Sequence, residues 1–269
     1  MISLPLVYTI LSLVAYTTGF WYTFTHLVAK RKSNTLFVAI TLLIGIVLHA
    51  NVLRNDMVTA SGINYDVFNL LSFTSGLMLI LSMLYSSYRP VSALNLLGIP
   101  VAASGLILGF AFSQPNQYAS QHTIGLDLHI ILSLSSYAVL LMATIQAVMM
   151  WLQNQELKKK QKRLWVNLLP PLQVMESLLF DMLITGFISL TAALLFGFFM
   201  VDNFMQQHLA HKTVFSIISW FVYGTLLIGH FKFGWRGQKA IRFTIIGFFL
   251  LALGFIGSKF ILEVVLGRS

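Results

Sequence analysis

Eight stretches of about 20 predominantly apolar residues follow one another with short polar breaks, and nothing else in the chain restricts the fold as strongly. They run over roughly 4–28, 35–53, 66–86, 91–113, 127–153, 180–201, 213–231 and 241–264. A stretch of that length crosses the hydrocarbon core as a helix, because only there does one segment satisfy all its own backbone groups. Charge agrees: 9% of the 269 residues are charged, against about 25% in soluble domains. The expected fold class is all-α: a polytopic integral membrane helical bundle of eight transmembrane helices in a single membrane domain, without internal repeats. The chain opens directly into an apolar segment with no basic n-region, which reads as a mature helix rather than a cleaved signal.

Alternate loops fall on the same side of such a bundle. One set holds Lys30, Arg31, Lys32, Arg89, Lys158, Lys159, Lys160, Lys162, Arg163, Lys232, Arg236, Lys239 and Arg242, while the other holds Arg54, Lys212, Lys259 and Arg268. The positive-inside rule puts the first set in the cytoplasm and both termini outside, N-out/C-out. The formal charge of +9 is then a topology signal. Runs such as "KKKQKR" are expected to meet anionic lipid headgroups of the bilayer, and no nucleic acid partner is expected. In the longest cytoplasmic connection, residues 164–175 are apolar but broken by Pro170–Pro171, which suggests an interfacial segment followed by a turn.

Catalytic signatures are missing. There is no phosphate-binding glycine loop, nucleophile elbow or zinc helix, and no cysteine, which removes disulfides, thiolate metal sites and thiol chemistry. The acidic residues Asp56, Asp66, Asp127, Glu156, Glu176, Asp181, Asp202 and Glu263 lie almost entirely at expected helix ends, where solvation costs little. No carboxylate pair suggests a proton-coupled permease. The chain is not expected to be an enzyme.

Histidine is the informative residue type. On this topology His49, His122, His129, His208 and His211 face the outer side, while His26 and His230 lie toward the cytoplasm. One histidine at a helix end is ordinarily an interfacial polar residue. Several on one surface point to haem, for whose iron imidazole is a preferred axial ligand. Two axial nitrogens sit only about 4 Å apart across an iron. His211 and His230 are separated by 19 helical residues, roughly 28 Å, so each would need a partner from another helix. The outer candidates are His49, His129 and His211; on the inner side only His26 can join His230. Arg54 and Lys259 are candidates for pairing with haem propionates, although Lys259 has Glu263 four residues on as an alternative partner.

Four segments resemble the cytochrome c assembly proteins of the CcsA, CcmC and HemX kind, most closely their short YpjD-like branch. "LHIILSLSSYAVLL" (128–141) is similar to the family's helix that opens with an external haem-ligand histidine. "LPPLQVMESLLFDMLITGFISLTAALLFG" (169–197) resembles the segment leading into its central helix. "HKTVFSIISWFVYGTLLIGHFKFGWRG" (211–237) resembles its Lys-containing helix, which ends in a histidine and a Trp-Arg-Gly turn. "GFFLLALGFIGSKFILE" (247–263) resembles its last helix. The resemblance covers essentially the whole chain. It implies that His129 matches an external haem ligand and His230 the histidine of a transmembrane haem site. Both would be axial ligands of a haem b.

Two departures accompany it. The loop that carries tryptophans and a Trp-Asp step in the family reads "DNFMQQHLAHKT" here (202–213), and the chain reaches "VVLGRS" without the family's second external histidine. His49, His208 or His211 would have to replace that ligand, or external haem presentation has been lost. The expectation is a haem-binding or haem-handling protein of the bacterial inner membrane, with haem and the lipid bilayer as partners. The alternative is a cofactor-free structural or regulatory subunit that docks another inner-membrane protein.

Overall fold

The computed structural model describes residues 3–29, 31, 33–59, 62–88, 92–113, 119–120, 124–159, 169–200 and 207–254, without the side chains of 88, 92–93, 119–120, 124, 126, 200 and 207–212. The helices are α1 (Leu4–Val28), α2 (Thr35–Met57), α3 (Val67–Tyr88), α4 (Ser92–Phe112), α5 (Ile124–Lys158), α6 (Leu172–Met200), α7 (Gln207–Phe233) and α8 (Gln238–Ala252). Among the described residues, seven helices, α1 to α7, are long and apolar enough to cross a membrane. The description of α8 covers 15 residues, so the far part of the expected span 241–264 lies outside the described residues. The large apolar side chains left exposed, such as Leu43, Phe198 and Phe199, are what a lipid-facing surface requires.

Local chemistry explains the helix ends. Asn34 caps α2, its Oδ1 accepting the amides of Leu36 and Phe37 at 3.1 and 3.2 Å, as N-cap side chains do. Asp66 does the same for α3, accepting the Asn69 amide at 2.8 Å. Its second carboxylate oxygen takes the Ser113 hydroxyl at 2.9 Å, which ties the end of α4 to the start of α3. Pro171 stands immediately before α6, its carbonyl taking the Val174 and Met175 amides at 2.9 and 3.1 Å. Of the segment 164–175 expected at the interface, residues 164–168 lie outside the described residues and 172–175 are the first turn of α6, which starts well before the expected position 180. A proline suits this place because its missing N–H would be unsatisfied there in any case.

The fold is all-α, as expected, with one small addition: β1 (Val58–Thr59), β2 (Gly62–Asn64) and β3 (Ala119–Ser120) form a three-stranded antiparallel sheet, with Val58 opposite Ile63 and Ile63 opposite Ser120. Strands of two or three residues carry no readable alternation. Gly62, at φ 136°, makes the tight return from β1 that a side chain would strain. The helices gather into two compact units, Met1–Gln121 and His122–Ser269. Within each unit consecutive helices pair, α1 with α2, α3 with α4, α5 with α6 and α7 with α8.

In the first unit α3 and α4 meet through small residues: a Cβ on Gly98 would lie 2.8 Å from Ser82 Oγ, and one on Gly109 2.8 Å from Ser72 Cβ. Such contacts drive helix association where lipid removes the hydrophobic incentive. The first unit's hairpin α1–α2 and the second unit's hairpin α7–α8 share one packing device. Ser12 donates to the Gly45 carbonyl at 2.8 Å, and Tyr16, one turn on, packs against Gly45. Ser219 donates to the Gly247 carbonyl at 2.8 Å, and Tyr223, one turn on, packs against Gly247. Within the second unit α5 is central. Its buried Gln146 and Gln153 donate to the carbonyls of Met175 and Pro170 at 3.2 and 3.1 Å, locking α5 against the start of α6.

Candidate functional site

His129 sits near the N-terminal end of α5, against the C-terminal half of α6. Its Nδ1 lies 3.0 Å from the Ala193 carbonyl. A carbonyl only accepts, so Nδ1 carries the proton and Nε2 presents a lone pair. The ring reaches that carbonyl because residue 197 is glycine: a Cβ there would stand 2.8 Å from His129 Cε1 and 3.2 Å from Nδ1.

His230 closes the last turn of α7, and the glycine-flanked tail behind it builds its surroundings. Gly234 adopts φ 65°, the left-handed cap that ends many helices. Its amide bonds the His230 carbonyl, and the Trp235 amide bonds the Gly229 carbonyl, both at 3.1 Å. The returning chain brings the Trp235 carbonyl to within 3.0 Å of His230 Nδ1, which again leaves Nε2 as the free acceptor. Two residues four apart on one face of α6 complete the setting. Phe180 stacks on the imidazole, centroids 3.5 Å apart, and Glu176 accepts the Gly237 amide at 3.2 Å. The second glycine of positive φ, Gly237, is thereby pinned, and Lys239 lies 5.2 Å over the Trp235 ring.

These two histidines do not share an iron. Their α6 neighbours Phe180 and Gly197 are 17 residues apart, about 25 Å along the helix axis, so they mark opposite halves of the second unit.

His49 differs from both. It is 1% exposed, with Nδ1 3.1 Å from the Tyr16 hydroxyl and Nε2 2.8 Å from Ser72 Oγ. Both ring nitrogens are occupied, in a relay that joins α1, α2 and α3. His26 holds the Tyr22 carbonyl with Nδ1 at 2.9 Å and packs on the Tyr22 ring. Arg54 is exposed in the last turn of α2. His208 and His211 belong to the opening turns of α7, and their side chains lie outside the described residues, as do His122 and Lys259 entirely. Among the described residues, no three or more His, Cys, Asp or Glu side chains gather to hold a bare metal ion.

Sequence reasoning missed Gly197, Phe180 and the Tyr16–His49–Ser72 relay, and met Trp235 only as part of the Trp-Arg-Gly turn. The only signal for the first was a small residue in an otherwise bulky stretch.

A multi-pass helical membrane protein with imidazoles anchored through backbone carbonyls is the class that fold and geometry define. The chain belongs to the cytochrome c assembly protein family, which matches residues 4–266. It is 33% identical over 265 residues to inner membrane protein YpjD of Escherichia coli strain K12, covering 96% of this chain and 99% of that protein. It is also 34% identical over 146 residues, 54% of each chain, to an uncharacterized 28.8 kDa protein in the nifR3-like 5′ region of Azospirillum brasilense. No solved structure matches. The chain is a multi-pass inner-membrane protein.

The donor chemistry fits haem. Metal-ligating histidines characteristically give their other N–H to a backbone carbonyl or carboxylate, which fixes tautomer and ring orientation, and His129 and His230 both do so.

Proposed function

We propose that this protein binds or passes on haem without enzymatic activity of its own, with His129 and His230 as the residues that would ligate haem b iron at two separate sites. The observation that carries the reading is the shared tautomer: each Nδ1–H is committed to a carbonyl from another element or turn, at 3.0 Å, and each Nε2 is left to bind iron. Bound haem supplies a redox-active, transferable iron porphyrin. The chain's own residues orient the imidazole (the Ala193 and Trp235 carbonyls), wall it with apolar surface (Phe180) and let it approach a neighbouring helix (Gly197). His211 and Lys259 stay in the proposed outer set as a substitute ligand and a propionate partner, and Arg54, in the first unit, stays a separate candidate for a propionate. His49 is assigned a structural role, because ligation would break one of its two hydrogen bonds.

In this reading eight helices span the membrane and both termini lie outside. The absence of cysteine makes this directly testable. A membrane-impermeant thiol reagent should label Asn55→Cys in intact cells and Ser33→Cys only after permeabilisation, and the reverse pattern inverts the topology.

The haem reading is tested by oxidised and reduced absorption spectra of detergent-purified protein with haem quantified per chain. His129→Ala and His230→Ala should each remove part of the haem. Unchanged content and spectrum in both variants, or a featureless wild type after haem titration, overturns it. The second reading, a cofactor-free docking subunit, is favoured by the tryptophan-free stretch 202–213, and the featureless spectrum would select it.

A further inference from the structure

We propose that the furrow between α1 and α4 is a phospholipid site, taking an acyl chain of an anionic lipid between the helices and its phosphate at the α1–α2 turn. This rests on the first unit alone and is independent of haem.

The furrow encloses about 780 Å³ and is walled chiefly by Tyr16, Phe20, Trp21, Tyr22, Phe37 and Pro100, within the size of ordinary ligand pockets. It opens sideways, since Trp21 is 66% exposed, so its occupant arrives from the bilayer. Proline and alanine on the α4 side, Pro100 and Ala103, keep that wall shallow.

Its interior asks for nothing polar. The hydroxyls of Thr17, Thr18 and Thr25 all lie in the wall, and each already donates to its own helix, to the Leu13, Val14 and Trp21 carbonyls at 2.9, 2.7 and 2.9 Å. A ligand with polar groups along its body would leave them unpaired at a high cost. A hydrocarbon chain would not.

Polarity is gathered at one end. The Tyr22 hydroxyl accepts the Asn34 amide at 3.2 Å and keeps its own proton to donate. Arg31 folds back over the end of α1, its amide on the His26 carbonyl at 2.9 Å, and its side chain is exposed. Lys30 and Lys32 flank it in sequence, and the first acidic residue of the chain is Asp56, at the other end of α2. A headgroup there meets positive charge with no carboxylate from α1 or from the first five turns of α2 opposing it.

The test is native mass spectrometry of delipidated protein titrated with phosphatidylglycerol or phosphatidylcholine of equal chain length. One basic residue near an anionic headgroup contributes about 1 kcal/mol, or about fivefold, so wild type should retain phosphatidylglycerol at least about fivefold better. Arg31→Gln should lower that preference by about fivefold, and Ala103→Phe, which fills the furrow, should abolish retention of both lipids. Because Ala103→Phe can also perturb folding, quenching of wild-type fluorescence by chain-brominated phosphatidylglycerol provides a second readout, and Trp21→Phe should remove most of it. Equal retention of the two lipids by wild type, or quenching that Trp21→Phe leaves unchanged, overturns the proposal.

Discussion

Gly197→Ala adds one methyl group and removes no ligand, so it separates the presence of His129 from its positioning. The new Cβ would stand 2.8 Å from His129 Cε1, while carbon atoms rest about 3.5 Å or more apart. The ring must therefore move by about 0.7 Å or the helices must part. Its anchor has little slack: Nδ1 is 3.0 Å from the Ala193 carbonyl, and N–H···O bonds weaken beyond about 3.2 Å. Losing such an outer partner lowers metal affinity about 10- to 100-fold. We expect Gly197→Ala to weaken haem binding at the His129 site about tenfold or more, read by haem titration of purified protein followed at the reduced absorption band. Gly224→Ala is the control, since its Cβ would meet Phe187 at 3.6 Å, an ordinary contact, and should leave the titration unchanged. Wild-type affinity and spectrum in Gly197→Ala, alongside a loss in His129→Ala, would refute the claim that packing on Gly197 sets the imidazole.

The corresponding change at the other half of the unit is Gly229→Ala. Its Cβ would collide with the Trp235 ring, displacing the residue whose carbonyl holds His230; the same titration should show loss at the His230 site with the His129 site intact. Ser12→Ala and Ser219→Ala each remove one buried interhelical hydrogen bond. Bonds of this kind are worth about 0.6 kcal/mol on average, up to about 2, so each variant should lower the unfolding free energy in detergent by that order and the two effects should add. A loss several times larger for either would mean that the serine does more than close its hairpin.

Seven of the spans were legible because apolar length is written directly in the residues, whereas the sheet, the early start of α6 and the division into two units were not. The Ser–Tyr–Gly device escaped for a related reason. Ser12 and Gly45 are 33 residues apart and Ser219 and Gly247 only 28, so the two hairpins keep no common period. At the site, the family resemblance singled out His129 and His230, but their anchors are backbone carbonyls, and a carbonyl leaves no trace in residue type. His49 reads in sequence like any other histidine near a helix end. Its partners distinguish it, because hydroxyls both donate and accept and so can occupy both ring nitrogens.

The repeated device carries that distinction one step further. Four residues past its glycine, the first hairpin has His49; four residues past Gly247, the second has Leu251, buried like His49, and Tyr223 turns its hydroxyl to the Thr244 carbonyl at 3.4 Å instead. The same packing is thus made once with an imidazole and once with a leucine. If His49 serves only the first unit's core, its cost lies in stranding its partner. His49→Leu alone would leave the Tyr16 hydroxyl, in a residue with no exposure, without its imidazole, at about 1–3 kcal/mol. Removing both polar partners at once is close to neutral in such cases, and the Ser72 hydroxyl can turn to a carbonyl of its own helix, as Ser75 does at 2.8 Å. The double variant Tyr16→Phe, His49→Leu should therefore recover most of the thermal stability that His49→Leu loses and keep the wild-type haem content. A double variant no more stable than the single one, or one that loses haem while staying folded, would mean that His49 is held in place for more than packing.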